Sequence, residues 1–198
     1  MKRLFGVFLI CSAMALTGCE AVFTPQPLGD EVVKLDPATW QGTWLSDEVV
    51  VVTTVMDADK GLLQAAWVER GEAGAKFETA TGTVRRTGDV TFLSMEHEQF
   101  KDTSQGDTTA KDQQENTRNE PEYYWARISN DGRRAILWWP DVEQIRLAVG
   151  DGRLPGVVKE NQDVMLKQPE AAQLKLINAP DSNLMKWSQP VAFIRIGD

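Results

Sequence analysis

Cysteine is nearly absent from this chain: its 198 residues include two, Cys11 and Cys19, both close to the amino terminus. Neither can staple the body of the protein, and no Cys-x-x-Cys pair offers a metal ribbon. Histidine is scarcer still, with His97 alone, so a zinc site built on two or more histidines is excluded. Missing too are a P-loop, a Gly-x-Gly-x-x-Gly phosphate cradle and a Gly-x-Ser-x-Gly nucleophile elbow. Positive charge is in deficit, 21 basic against 29 acidic residues for a net charge of -8, which argues against a nucleic-acid partner. Past the first 16 residues no stretch is long and apolar enough to cross a bilayer. What remains is an ordinary globular composition, 42% hydrophobic and 25% charged, sized for one domain and a short extra segment.

The amino terminus is the most informative stretch. Lys2 and Arg3 precede Leu4 to Leu16, an apolar run of 13 residues. As a helix it would be about 20 Å long, too short for a hydrocarbon core of about 30 Å and right for a secretory leader. It runs into Leu16-Thr17-Gly18-Cys19. That sequence resembles the lipobox of bacterial lipoproteins, where small side chains precede the scissile bond and the thiol first accepts a diacylglycerol. Cys11 lacks this setting, because bulky Leu9 and Ile10 precede it. The resemblance implies a signal peptide over 1–18 and a mature chain that begins at Cys19 with covalent diacylglycerol and an N-acyl chain. No other cofactor is expected. Removing Lys2 and Arg3 leaves 19 basic against 29 acidic residues, a net charge of -10. Glu20, where aspartate would favour the inner membrane, points to the periplasmic side of the outer membrane. Residues 20–28 hold two prolines and no periodicity, so 19–36 reads as a lipidated tether ahead of a single domain over 37–198.

From Trp40 onward the pattern is strand. Val49 to Met56 (VVVVTTVM) is β-branched almost throughout. Asp57 to Gly61 is turn chemistry, and Leu62 to Glu69 returns as a strand. Lys76 to Arg86 and Val90 to Met95 bracket Thr87-Gly88-Asp89. Tyr123 to Ser129 and Arg134 to Trp139 bracket Asn130-Asp131-Gly132. Further on, Pro140 to Val149 has helical spacing, with Pro140 placed to start the helix and Gly150 to end it. Leu154 to Val158 and Val164 to Leu166 are short strands, Pro169 to Ile177 is helix or strand, and Val191 to Ile196 is a last strand. The fold class is therefore mainly β: six or seven strands in an antiparallel meander that folds into a barrel or a strongly bent sheet, with one or two short helices in the carboxyl-terminal third.

Trp40-Gln41-Gly42-Thr43-Trp44 carries a second resemblance. Gly42-Thr43-Trp44 ahead of the first barrel strand is similar to the Gly-x-Trp signature of lipocalins, although their Thr-Asp-Tyr motif is absent. The likeness implies a barrel whose Trp44 closes one end, with an arginine of the last strand, here Arg195, packed across it. It also implies a small apolar ligand.

Candidate sites are few. Tyr123, Tyr124 and Trp125 face Trp138 and Trp139 across the Asn130-Asp131-Gly132 hairpin. Adjacent strand residues point to opposite faces, so some of these aromatics could form a binding surface; the carboxyl-terminal segment could equally cover them. Residues 99–121 contain no valine, isoleucine or leucine and read as a mobile polar loop. Asp57-x-Asp59 suggests calcium, but Leu62 and Val68 stand where a calcium loop needs glycine and glutamate, so it reads as a turn. His97, at the polar end of a strand, reads as a surface or hydrogen-bonded residue. With the only mature thiol acylated, a Cys-His pair is unavailable, and no catalytic or metal-binding residue is assigned.

Three classes of function follow. The first is a non-enzymatic envelope lipoprotein, anchored in the membrane by lipid, that binds or assembles with another envelope protein. The second is a lipocalin-like carrier, for which an apolar cavity open at one end would speak. The third is a carboxylate-dependent hydrolase, for which two buried carboxylates with raised pKa values would speak.

Overall fold

The computed structural model describes residues 20–47, 49–71, 74–97 and 121–197. Cys19, the 1–18 leader and the polar loop apart from Pro121 lie outside the described residues. Seven strands follow one another as a meander: β3 (Gly42–Leu45), β4 (Val50–Asp57), β5 (Leu62–Gly71), β6 (Gly74–Thr87), β7 (Val90–Glu96), β8 (Tyr123–Asn130) and β9 (Arg134–Trp138). The last strand, β12 (Val191–Gly197), pairs antiparallel with both β9 and β3 and closes an eight-stranded barrel. The hairpins form where turn chemistry expects them. Asp57 Oδ1 accepts the Lys60 N–H at 3.1 Å. Asp131 Oδ1 accepts the N–H groups of Arg133 and Arg134 at 2.8 and 2.7 Å.

The 19–36 tether is overturned. Val22, Phe23, Thr24, Leu28 and Leu35 are all buried. β1 (Val22–Thr24) pairs parallel with β11 (Val164–Leu166) and antiparallel with the first half of β8. β2 (Glu31–Val32) pairs with β6, and a single helical turn, α1 (Pro37–Trp40), follows under the Asp36 cap. The apolar residues of this segment find partners far along the chain, so the fold begins at Ala21 and not at residue 37. Pro25 and Pro27 end β1 rather than loosening it.

Between β9 and β12 the chain leaves the barrel. α2 (Val142–Gly150) starts after the Asp141 cap, which accepts the Gln144 N–H at 3.1 Å. Pro140 instead bridges Met185, so the expected proline start is displaced to the cap. β10 (Gly156–Val158) pairs with β11, and α3 (Ala171–Ile177) is a helix whose Leu174 and Ile177 are buried. This excursion builds a second core on the outer side of β7–β9. Phe92 and Trp125 meet Val22, Ile145, Val164, Leu166 and Ile177 there. The first core is the barrel interior, where Trp40, Leu35, Leu63, Val84, Ile128 and Leu137 pack with Trp139 and Phe193.

Strands β1, β11 and β10 thus extend the sheet as a flange from the first half of β8 while the second half of β8 stays in the barrel. Alternation puts Phe92 and Trp125 outward and Leu93 and Ala126 inward, so both faces of this wall are covered. Among the described residues, no element covers the opposite wall in this way.

Candidate interaction surfaces

The aromatic hairpin is the first place to look, and its side chains are engaged within the protein. Trp125 is 1% exposed in the outer core, 6.3 Å from the Phe92 ring. Trp138 lies 6.0 Å from Trp187, and the Arg127 guanidinium sits over both rings at 5.3 and 5.0 Å. Burial holds the Arg127 pKa below its ordinary value. Trp139 packs inside the barrel. Tyr124 stacks on Phe23 at 4.7 Å, while Tyr123 is half-buried, with a phenol pKa raised first by burial and then by the Glu96 charge. Of the two outcomes open from the sequence, the carboxyl-terminal segment covers Trp125 and Trp138; these five residues do not come together as an open surface.

His97 is half-buried, and among the described residues its Nδ1 is buried with no hydrogen-bond partner. Its ring is set edge-on between Phe23 and Tyr124 at 5.1 and 5.0 Å, and its backbone N–H donates to the Glu122 carbonyl at 2.7 Å.

At the other end of the barrel, Arg195 gathers several groups. Its guanidinium donates to the carbonyls of Ala38 at 2.6 Å, Gln41 at 2.7 Å and Gly132 at 3.3 Å, and lies 5.9 Å from the Trp44 ring centroid. Gly42 has φ +150°, and a Cβ there would stand 2.8 Å from Arg195 Nε, so glycine leaves the room the guanidinium fills. Trp44 Nε1 donates to Thr53 Oγ1 at 2.8 Å, and that hydroxyl donates to the Trp40 carbonyl at 2.6 Å. The arrangement shuts this end with hydrogen-bonded structure.

The described carboxylates whose pKa is displaced are all displaced downward. The Thr87 hydroxyl does this for Asp30, the Lys60 ammonium for Asp57, and two backbone N–H groups for Asp131. Asp163 is buried but committed to structure, accepting the Ala21 N–H at 2.8 Å and the Asn161 amide. A shallow depression of about 400 Å³ is lined by Asp141, Gln144, Asn183, Lys186 and Trp187 among others, and it is open and polar.

The surface with the strongest apolar character lies elsewhere, on the outer wall of β12, β3, β4, β5 and β6. Ile194 stands opposite Leu45, and Leu45 opposite Val50. The β4–β5 register carries Val50 on toward Val68, and Val68 stands opposite Phe77. These five side chains form one cross-strand row, each between 43% and 68% exposed. Val52 and Met56 continue it along β4. In the ring of eight, β4 is four strands from β8 in either direction, so the row is on the wall opposite the flange. Sequence reasoning took Val49 to Met56 as a strand without drawing out this face. The signal was there: an unbroken β-branched run makes both faces of a strand apolar, and one face of a barrel strand must look outward. No family model, curated protein or solved structure matches this chain.

Proposed function

We propose that this chain is an envelope lipoprotein, anchored through acyl chains on Cys19 at the periplasmic side of the outer membrane, whose barrel is a non-enzymatic module for docking another envelope protein. The observation that carries the docking role is the row Ile194, Leu45, Val50, Val68 and Phe77. Single exposed apolar residues are ordinary, but a contiguous patch of this kind on a folded domain marks an interaction site. The row's own side chains are all uncharged, and its aromatic end at Phe77 suits the apolar core of a protein interface.

The lipocalin-like carrier shares the closed barrel and the Trp44–Arg195 contact. An eight-stranded barrel has room for packed side chains or for one small ligand, and the interior cluster of Trp40, Leu35, Leu63, Ile128, Leu137, Trp139 and Phe193 favours the first, which weighs against the carrier. A hydrolase finds no support in carboxylates held below their ordinary pKa.

The test is site-specific photocrosslinking in cells, with the reactive group at Phe77, at Ile194, or at Asp89 as a control. A discrete adduct from the first two sites, absent from Asp89 and lost on Val50→Asp, supports docking. No adduct from the row, or one indifferent to Val50→Asp, overturns it. Mass spectrometry of material extracted from the purified domain tests the carrier, which requires a stoichiometric apolar ligand.

A further inference from the structure

We propose that the flange rests on the bilayer, with Leu147, Val157 and Val158 in contact with the headgroup layer, so that the anchored domain has one fixed orientation. This inference rests on the lipid anchor at Cys19. Its starting point is how little chain separates that residue from the fold. Glu20 is ion-paired with Arg146, whose guanidinium also donates to the Gln162 carbonyl at 3.1 Å. The Ala21 N–H donates to Asp163, the Ala21 carbonyl accepts the Val164 N–H at 2.8 Å, and Val22 is already in the sheet. One peptide step of about 3.8 Å joins Cys19 to the fixed Glu20. Acyl chains on Cys19 leave the domain no slack to turn, and the surface around Glu20 must meet the membrane.

That surface carries its own apolar side chains. Leu147, next to Arg146 on α2, is 54% exposed. Val157 and Val158 on β10 are 59% and 36% exposed and point to opposite faces of the sheet, so it is the edge of the flange, not one of its faces, that meets the headgroups. α2 lies over this hairpin, with Val149 against Gly156. Val158 pairs with Val164, which pairs with Val22, so all three lie within two strands or one helical residue of the anchor point. Nearby charges form no net positive patch: Arg146 pairs with Glu20, Lys159 with Glu122 and Arg153 with Asp151, while Glu143 and Glu160 add exposed carboxylates. Attraction to anionic lipid is therefore small, and the contact is apolar in kind. Its depth is limited, because β10 is an edge strand whose outer backbone groups need water or headgroup partners.

The experiment uses the full-length lipidated protein in phosphatidylcholine vesicles. The thioether consumes the Cys19 thiol and cleavage removes Cys11, so a single introduced cysteine can be labelled cleanly. Leu147→Cys, Val157→Cys and, on the opposite wall, Phe77→Cys each receive an environment-sensitive fluorophore, and quenchers are attached to the lipid headgroups. Mass spectrometry of the amino-terminal peptide first establishes acylation, and circular dichroism establishes folding. Labels at 147 and 157 should be quenched about threefold or more relative to 77, as contact within an interfacial layer of about 5–10 Å requires. The ratio should not change when a third of the lipid is made anionic. Equal quenching at all three positions in demonstrably acylated protein overturns the orientation alone. An unacylated amino terminus overturns the anchor, and the orientation with it.

Discussion

Arg195 of the last barrel strand stands opposite Trp44 of the first, its guanidinium carbon 5.9 Å from the centre of the indole ring. One side chain thereby joins the closing strand, the helical turn α1 and the β8–β9 hairpin, through carbonyls that would otherwise end unpaired. Arg195→Ala should lower stability by about 2 kcal/mol, the loss of several charge-assisted hydrogen bonds discounted for partial exposure. Arg195→Lys should recover only part of this, because an ammonium cannot reach the same carbonyls with a planar fork. Gly42→Ala should cost about 1–3 kcal/mol through strain and displacement of the guanidinium. Urea unfolding midpoints of the three variants check the set.

Phe23 separates a tether from a built-in strand. Buried beside Tyr124 and His97 with the Lys159 ammonium 5.2 Å from its ring, it should cost about 3–5 kcal/mol when replaced by alanine. The measurement is chemical denaturation of a form whose residues 1–19 are exchanged for a cleavable leader. A loss below about 1 kcal/mol would return the segment to the status of a linker.

Asp131 gives a pH signature. Backbone N–H groups of Arg133 and Arg134 hold its folded pKa below the ordinary carboxylate value. Stability from this residue is therefore fully present above the unfolded pKa of about 3.9 and is lost as pH falls through the folded value. Asp131→Asn keeps an acceptor oxygen and removes the titration. The wild type should be the more stable protein at neutral pH, and the gap should narrow steadily from about pH 5 downward. Denaturation at a series of pH values reads this directly; a gap independent of pH would refute it.

Cys19→Ser should block acylation and the cleavage that follows it, leaving an uncleaved form held by its leader. Exchange of residues 1–19 for a cleavable leader should release the folded domain from the membrane, because a net charge of -10 favours no anionic surface and the flange contact is weak without acyl chains. Membrane fractionation beside the wild type decides both. A domain that still pelleted without Cys19 would point to a second strong membrane contact.

Much of the barrel was legible because its turns are written in short local sequences. Asp57 to Gly61, Thr87-Gly88-Asp89 and Asn130-Asp131-Gly132 each fix a hairpin with residues inside the turn. Trp44 and Arg195 were legible as a pair through the lipocalin-like pattern. β1 was not, because three residues flanked by proline have no local reason to be a strand. Their stabilisation comes from β11, whose register sets Val22 against Val164. Pro169 to Ile177 remained ambiguous for a related reason: Glu170 and Gln173 favour a helix start, but burial of Leu174 and Ile177 depends on the outer core. The aromatic pairs stayed open between a binding surface and a covered one, because whether a barrel wall has cover on its outer side is not written in the hairpin itself. The apolar row is the converse case, since whether a strand's second face is covered depends on the layer outside it.

The position of β12 has a consequence for how the molecule comes into being. This strand pairs with β9 on one side and with the distant β3 on the other, and its Arg195 reaches Ala38 of α1, 157 residues away along the chain. A chain emerging amino terminus first can zip hairpin by hairpin from β3 to β9, yet it presents two raw sheet edges until its final strand arrives. The β3 edge carries Leu45 and lies beside Val50, two of the residues that stay exposed in the finished protein. During folding, then, the unfinished barrel is stickier than the finished one, and it needs a holding chaperone or completion faster than encounter with its neighbours.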